Sequence, residues 1–488
     1  MRRNRVLWAA ALAATLLGRA GLADTHTWVG SGNWSTPANW SGSQVPGPAD
    51  DVVFDGASST ANATIDAAFG GAIASLTITN GYTGTNTQAC DLDVTGDFRM
   101  FCGGWRFAAG TAAALSVSNN LLLTNSAVYC QYASLAGNGT GRTFTVGGDL
   151  ILCAGAVIDG AGLGFPLGQG PGRQLVGTGG GGGHGGEGGV WNHYQANGPG
   201  GNCYGSVQYP TSIGSGGQWA PGGGALRLNV GGATTIDGAI MMNGGPYLND
   251  RGGGAGGAIW ITTGALQGNG RILAQGSGPF PAYATGMGSG GGGRIAIHCS
   301  TMAFPLATNN LSAASSPCYY TWASAGAAGT IYLKRTADSL GTWIIDNNLV
   351  QTYAGSWPKP TTQISTNVTD VPDGNLLIQN LGDLRIFTNG TLSVRGYWTN
   401  AASFTADTNT TVYIAGTNES TISGNLAFYN LTCTNSGKTV YFSERNTNAV
   451  QGLLTLKGES GNRLTLRSTG TNYWHLKVVD GALLHQVD

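Results

Sequence analysis

Gly224-Ala225-Leu226-Arg227-Leu228 recurs as Gly257-Ala258-Ile259-Trp260-Ile261, as Gly293-Arg294-Ile295-Ala296-Ile297 and as Gly329-Thr330-Ile331-Tyr332-Leu333, at steps of 33, 36 and 36 residues. In each copy two aliphatic residues flank a variable one, the period-two pattern of a strand with one buried face. A second strand follows the first two copies, at Thr235-Ile236-Asp237-Gly238-Ala239-Ile240 and Gly268-Asn269-Gly270-Arg271-Ile272. Upstream, Val94-Thr95-Gly96-Asp97-Phe98 is echoed by Val117-Ser118-Asn119-Asn120-Leu121 and by Val146-Gly147-Gly148-Asp149-Leu150.

Intervals of about 20–50 residues mark stacked repeats. One such unit cannot bury its aliphatic face alone, whereas parallel stacking buries that face and satisfies the backbone between neighbours. Glycine is expected at the corners, where φ turns positive or backbones approach closely. The expected fold is therefore all-β, a right-handed parallel β-helix (β-solenoid). Propeller blades are the rival, but they require four antiparallel strands per repeat; these intervals hold two or three.

Composition points the same way. Of 488 residues, 84 are glycine and 10% are charged, with four Glu and five Lys in all. Interior glycine costs helix stability and the strong polar helix formers are scarce, so a mostly helical enzyme is excluded. The glycines cluster instead of recurring every third residue, which excludes collagen. Apolar residues make up 41% and net charge is near zero, which excludes disorder by charge.

Arg2, Arg3 and Arg5 precede an apolar run from Val6 to Leu17, and Gly21-Leu22-Ala23 supplies small residues before a cleavage point. Residues 1–23 read as a secretory signal peptide, with an apolar run too short for a span of about 20 residues. Its removal leaves 19 basic against 24 acidic residues. The expected location is secreted or cell-surface. With no basic stripe and no later apolar span, neither nucleic acid nor a membrane is expected as a partner; extracellular polysaccharide or cell-surface components are. Residues 24–75 form a Trp-rich N-terminal cap. Residues 76–336 carry the β-solenoid, with a loose glycine-rich insertion at 165–223, and 337–488 a second β-rich module after a candidate linker at 354–360. The pattern stops in mid-repeat at Asp488, so a truncated reading is expected.

Three features carry resemblance. Trp28-Val29-Gly30-Ser31-Gly32-Asn33-Trp34, Ala38-Asn39-Trp40-Ser41, Pro46 and Asp50-Asp51-Val52-Val53-Phe54 resemble the opening of large bacterial extracellular proteins with autotransporter-associated β-strand repeats. The glycine runs before G-x-I-x-I strands are similar to those of glycine-rich secreted β-helix proteins of environmental bacteria. The end, from Gly461 through Trp474 to Asp488, resembles strand repeats in similar surface proteins. The resemblance implies a β-solenoid in an extracellular setting, and no catalytic set.

Candidate chemistry is sparse. Trp28, Trp34 and Trp40 lie six residues apart; they form either an exposed platform for sugar stacking or a buried cap over the first coil. Solenoids need covered ends, which favours the cap. His184, Glu187 and His193 form H-x2-E-x5-H in the insertion, ligand types for a transition metal but in no standard spacing and in an expected flexible loop. Cys102, Cys130 and Cys153 recur near the repeat interval. Strands about 4.8 Å apart would let two of them bridge or stack as a thiol ladder. Asp159-Gly160 and Asp237-Gly238 could serve a β-helix lyase or glycosidase, yet Asp-Gly is foremost a turn signal. Asp91 and Asp93 share one strand face, as calcium ligands or as a solvated pair. No nucleophile elbow or phosphate loop appears, and no cofactor is expected. The reading is a structural, adhesin-like β-solenoid without catalysis. A polysaccharide lyase or glycoside hydrolase, or a polysaccharide-binding module, is the alternative.

Overall fold

The computed structural model describes residues 23–79, 81–174, 179–193, 196–246, 252–278, 288–318, 323–352 and 359–488. The signal-peptide segment 1–22 and residues 354–358 of the candidate linker lie outside them. The chain is all-β, with 41% of residues in strands and 1% in helices. Its large parallel sheets are compatible with a solenoid. No helix among the described residues is long and apolar enough to cross a membrane.

The four quoted motifs pair residue for residue. Leu226 lies beside Ile259, Ile259 beside Ile295 and Ile295 beside Ile331. Leu228, Ile261, Ile297 and Leu333 form the parallel row two residues on. The upstream echo behaves likewise, with Val94, Val117, Val146 and Val230 in one row. These rows point inward: Leu226, Ile259, Ile295, Val94, Val117 and Val146 are at most 1% exposed. Each such aliphatic contributes about 1.5–3 kcal/mol on burial. In this half of the chain the first two repeats give one short strand each to a 21-stranded sheet, and later repeats give two strands or one long strand. Each also places one strand in a nine-stranded sheet, as far as Leu311–Ser312. Gly32–Asn33 begins the latter and Leu311–Ser312 ends it.

Parallel succession breaks once in the large sheet. Thr330–Arg335 pairs antiparallel with Thr342–Asp346, across a turn where Arg335 forks onto the Asp338 carboxylate. A second core, built around Trp343, Trp398, Phe428 and Phe442, begins there. Beyond it, each repeat places one strand in each of three sheets. Asn375–Gln379, Asp383–Ile386 and Thr391–Val394 form one repeat, and Trp398–Asn400, Ser403–Ala406 and Thr411–Ile414 lie on it in the same order.

The glycine-rich segments depart from expectation. Gly179–Gly183 and His184 are buried, so this part of the insertion is neither loose nor a mobile loop. Extended segments from four successive repeats pack together, and their hydrogen bonds follow a period of three. Gly288 donates to Gly179, Ser289 to Ser324 and Gly290 to Ser277; Gly291 then donates to Gly182, Gly292 to Ala327 and Gly293 to Ala274. Residues three apart thus reach the same neighbour, the repeat of an extended helix with three residues per turn. Side chains would prevent this packing: a Cβ on Gly290 would sit 1.9 Å from the Gly254 carbonyl oxygen, and one on Gly292 1.8 Å from that of Ala313. Glycine here serves close approach between segments more than corner turning.

Candidate functional site

A concavity opens in the second half of the chain. It is a groove of about 830 Å³ between the segment Ile364–Val371 and the turn and strand Phe387–Ser393. Ile364, Val368, Val371 and Phe387 give it apolar walls, while Ser365, Thr366, Thr388, Asn389, Thr391 and Ser393 bring hydroxyl and amide groups. The Arg385 guanidinium lies over the Phe387 ring at 4.8 Å and forks onto Asp407. Asp370 is the one ionisable lining residue, and it is already engaged. Its carboxylate accepts from the Val207 and Gln208 N–H groups at 2.8 and 3.3 Å, and from the Ser206 hydroxyl. That contact ties the Gly205–Ser206 strand to Val368–Thr369 beside it. The groove offers hydrogen bonds and apolar contact, with no pair of carboxylates for acid–base work.

The three tryptophans present no face to a sugar. Trp28, Trp34 and Trp40 are 0%, 0% and 1% exposed, which overturns the platform expectation. Trp28 and Trp34 each meet Trp40 edge-on at 5.0 and 5.2 Å and stack on Phe54 at 5.5 Å. The Trp40 Nε1 donates to the Trp34 carbonyl at 2.7 Å. They pack where the large sheet begins, beside Thr25–Thr27, whose one strand partner among the described residues is Asp51–Phe54.

Cys102, Cys130 and Cys153 are free thiols and lie out of register with one another, so the expectation of a bridge or a stacked thiol ladder between two of them is corrected. Register explains it. Cys130 follows Ala127–Tyr129 in the nine-stranded sheet, whereas Cys153 follows Leu150–Leu152 in the large one. Met100 aligns with Leu123 and Leu123 with Leu152, so Phe101, not Cys102, falls level with Cys153. The Cys102 thiol donates instead to the Thr79 and Tyr82 carbonyls at 2.8 and 3.0 Å.

His184 and Glu187 have separate partners. The His184 Nδ1 meets the Gly256 carbonyl at 2.9 Å and its ring packs on Tyr204 at 4.7 Å. Burial, with the nearby Arg294 charge, depresses its pKa to about 3 and keeps it neutral. The partly buried Glu187 accepts from the Thr361 N–H at 3.1 Å, and burial pushes its pKa up to about 7. The His193 side chain lies outside the described residues. Among the described residues no three His, Cys, Asp or Glu side chains group to hold a metal ion. Arg294, also buried, donates to the Tyr204 and His184 carbonyls and to the Thr330 hydroxyl, pinning the glycine-rich segments to the sheet.

Three of the four candidate aspartates serve as backbone caps. Asp159 accepts from the Ala161 N–H at 2.8 Å within its own turn, and burial raises its pKa. Asp237 accepts from Asn269 and Asp91 from Ala114, each one repeat further on. Asp97, Asn120 and Asp149 continue the device as a series, accepting from the N–H groups of Asn120, Asp149 and Ala233 in turn. Sequence reasoning missed Arg142, whose guanidinium donates to the carbonyls of Ala108, Thr111, Ala113, Gln131 and Tyr132. Its signal was present, because a charged residue stands in register with inward-facing Leu226. No protein-family profile, curated protein or solved structure matches the chain.

Proposed function

We propose that the chain is a secreted or cell-surface β-solenoid, right-handed in winding, with a structural, adhesin-like role and no catalysis. One observation carries this reading: three of the four aspartates singled out as candidate chemistry are committed to backbone N–H groups, Asp91 and Asp237 to those of the following repeat and Asp159 to its own turn. Asp91, Asp97, Asp149 and Asp237 each accept from the repeat that follows. The groove's Asp370 fastens residues 206–208. A catalytic carboxylate pair must remain free to exchange protons with a substrate, and these carboxylates are held as acceptors. The resemblance in the N-terminal and glycine-rich segments supports the extracellular setting.

The test has two arms. The purified chain, incubated with a panel of acidic and neutral polysaccharides, is expected to release no reducing ends and no unsaturated products. In the producing cell, protease added from outside is expected to degrade the protein while cytoplasmic markers survive. Oligosaccharide release would overturn the non-catalytic reading, and protection from external protease in both cell and medium fractions would overturn the location.

A further inference from the structure

We infer that the groove at Ile364–Val371 and Phe387–Ser393 is a receptor slot for an extended peptide segment with apolar side chains, which docks as an added strand on the open edge of Thr391–Val394. The inference goes beyond the structural role proposed above and does not depend on where the protein is delivered.

In an extended strand the N–H and C=O of alternate residues point to opposite sides. The Gly390 carbonyl accepts from the Thr411 N–H at 3.0 Å and the Val394 carbonyl from the Ala415 N–H at 2.9 Å. Gly390, Leu392 and Val394 therefore face the next repeat, while Thr391, Ser393 and Arg395 face the other way. The chain closes over Arg395, whose N–H donates to the Asp373 and Gly374 carbonyls at 2.9 and 3.1 Å. Thr391 and Ser393 instead open into the groove, and both line it.

The neighbouring sheets show what stands in the corresponding place. Asn375–Gln379 rests on Thr342–Asp346, and Asp383–Ile386 rests on Thr362–Ile364. In the third sheet Thr391–Val394 is the terminal strand, paired with Thr411–Ile414 alone among the described residues. The reason is visible in the chain path. After Ile364 the backbone turns, with the Val368 N–H donating to the Ser365 carbonyl, and Val368–Thr369 pairs with Gly205–Ser206 instead. Among the described residues the stack omits one strand here, and the groove lies in its place.

The chemistry of the lining identifies the occupant. Outward N–H and C=O groups at two alternate residues match a peptide main chain, the mode in which an extended segment adds to a sheet edge. Ile364, Val368, Val371 and Phe387 favour apolar side chains on such a segment. The one carboxylate at the rim, Asp370, accepts from the Ser206 hydroxyl and from the Val207 and Gln208 N–H groups, so main-chain hydrogen bonding and apolar contact carry the recognition. Thr391–Val394 is four residues long, so the contact spans about 13 Å at ~3.3 Å per residue.

The probe is a fluorescent peptide copying residues 408–416, Thr-Asn-Thr-Thr-Val-Tyr-Ile-Ala-Gly, which contains the adjoining strand of the same sheet. Fluorescence anisotropy is expected to show saturable binding to the full chain, and N-methylation of alternate peptide residues is expected to weaken it at least tenfold. Ser393→Pro removes the groove-facing N–H and leaves the ladder to Thr411–Ile414 intact; it is expected to weaken binding about tenfold at an unchanged unfolding midpoint. Thr366→Trp, at an exposed wall position, fills the groove and is expected to abolish binding even if the proline variant folds poorly. The assignment is overturned if the wild-type chain shows no saturable binding at millimolar peptide. It is equally overturned if both variants and the N-methylated peptide bind like their parents, or if neutral oligosaccharides occupy the groove in place of peptide.

Discussion

Replacing Gly257 by alanine tests the glycine-rich packing at one of its tightest points. A Cβ there would lie 1.7 Å from the Gly224 carbonyl oxygen and 2.6 Å from that of Gly223, against an ordinary contact of 3.4 Å or more. Both obstacles are backbone, so no rotamer change relieves them. The segments must move apart by about half that contact distance. Such a shift strains three hydrogen bonds: Gly257 to Met242 at 2.6 Å, Ala258 to Gly224 at 3.0 Å and Arg294 to Gly257 at 2.9 Å. Each is worth about 0.5–1.5 kcal/mol net, and overpacking adds about 1–3 kcal/mol. The expected destabilisation is about 3–6 kcal/mol, a large share of the roughly 5–15 kcal/mol that holds a typical protein folded. Gly70 is the control: it is exposed, its φ lies outside the left-handed region, and a Cβ would meet nothing within 4 Å. Gly70→Ala is expected to be neutral or to stabilise by about 0.4–1 kcal/mol. Guanidinium unfolding followed by tryptophan fluorescence compares the two, because Trp105 reports on the first core and Trp343 and Trp398 on the second. A Gly257→Ala midpoint equal to wild type, or a Gly70→Ala midpoint lowered as far, would refute the packing argument.

Three further outcomes are expected. Arg142→Met leaves five carbonyls, one buried and four part-buried, without their donor and should destabilise by about 3–5 kcal/mol. Arg142→Lys should recover little of it in the same thermal melts, since an ammonium lacks the planar fork. Burial raises the Glu187 pKa to about 7 in the folded chain, so between pH 4.5 and 7 the folded carboxyl keeps a proton that the unfolded one releases. Wild-type stability should therefore fall as pH rises through that window. Glu187→Gln should remove the slope, gaining about 1–2 kcal/mol over wild type at pH 8 relative to pH 5 once partial exposure is allowed for; an equal difference at both pH values would dismiss the titration. Trp40→Ala removes a buried ring and its bond to Trp34, and should cost about 3–5 kcal/mol in the same melts.

What the sequence made legible was whatever repeats with a side-chain period. The rows through Ile259 and Ile295 could be read because inward aliphatics alternate with outward residues, and one register satisfies every copy. The glycine-rich segments gave no such signal. Their period is three, their neighbours come from other repeats, and glycine has no side chain to show which way it faces. Hence Gly179–Gly189 read as loop although most of it is buried. The cysteines misled for a related reason: spacing near the repeat interval does not distinguish two sheets that alternate within one repeat. The groove was invisible in principle, because it depends on a strand that is left out after Ile364, and no residue type marks an omission.

That omission bears on how a parallel stack manages its edges. An exposed strand edge invites pairing with other chains, and proteins usually cover or disrupt it. Where this chain begins its large sheet, three tryptophans and Phe54 close the core beneath the edge. Where the first parallel run of that sheet ends at Thr330–Arg335, the antiparallel strand Thr342–Asp346 takes up the edge. The edge of Thr391–Val394 receives neither treatment, although the first two strands of its repeat are both covered. It is recessed behind a wall that Asp370 fixes to residues 206–208. Recession protects the edge from flat sheet-to-sheet association while leaving it open to a single narrow chain. A cavity left only by imperfect packing would carry no requirement for backbone donors at its rim, whereas this one aligns two residues of an otherwise regular strand with its opening. Ser393→Pro separates these cases: it removes one groove-facing N–H without touching the core, so a filler cavity would be indifferent to it.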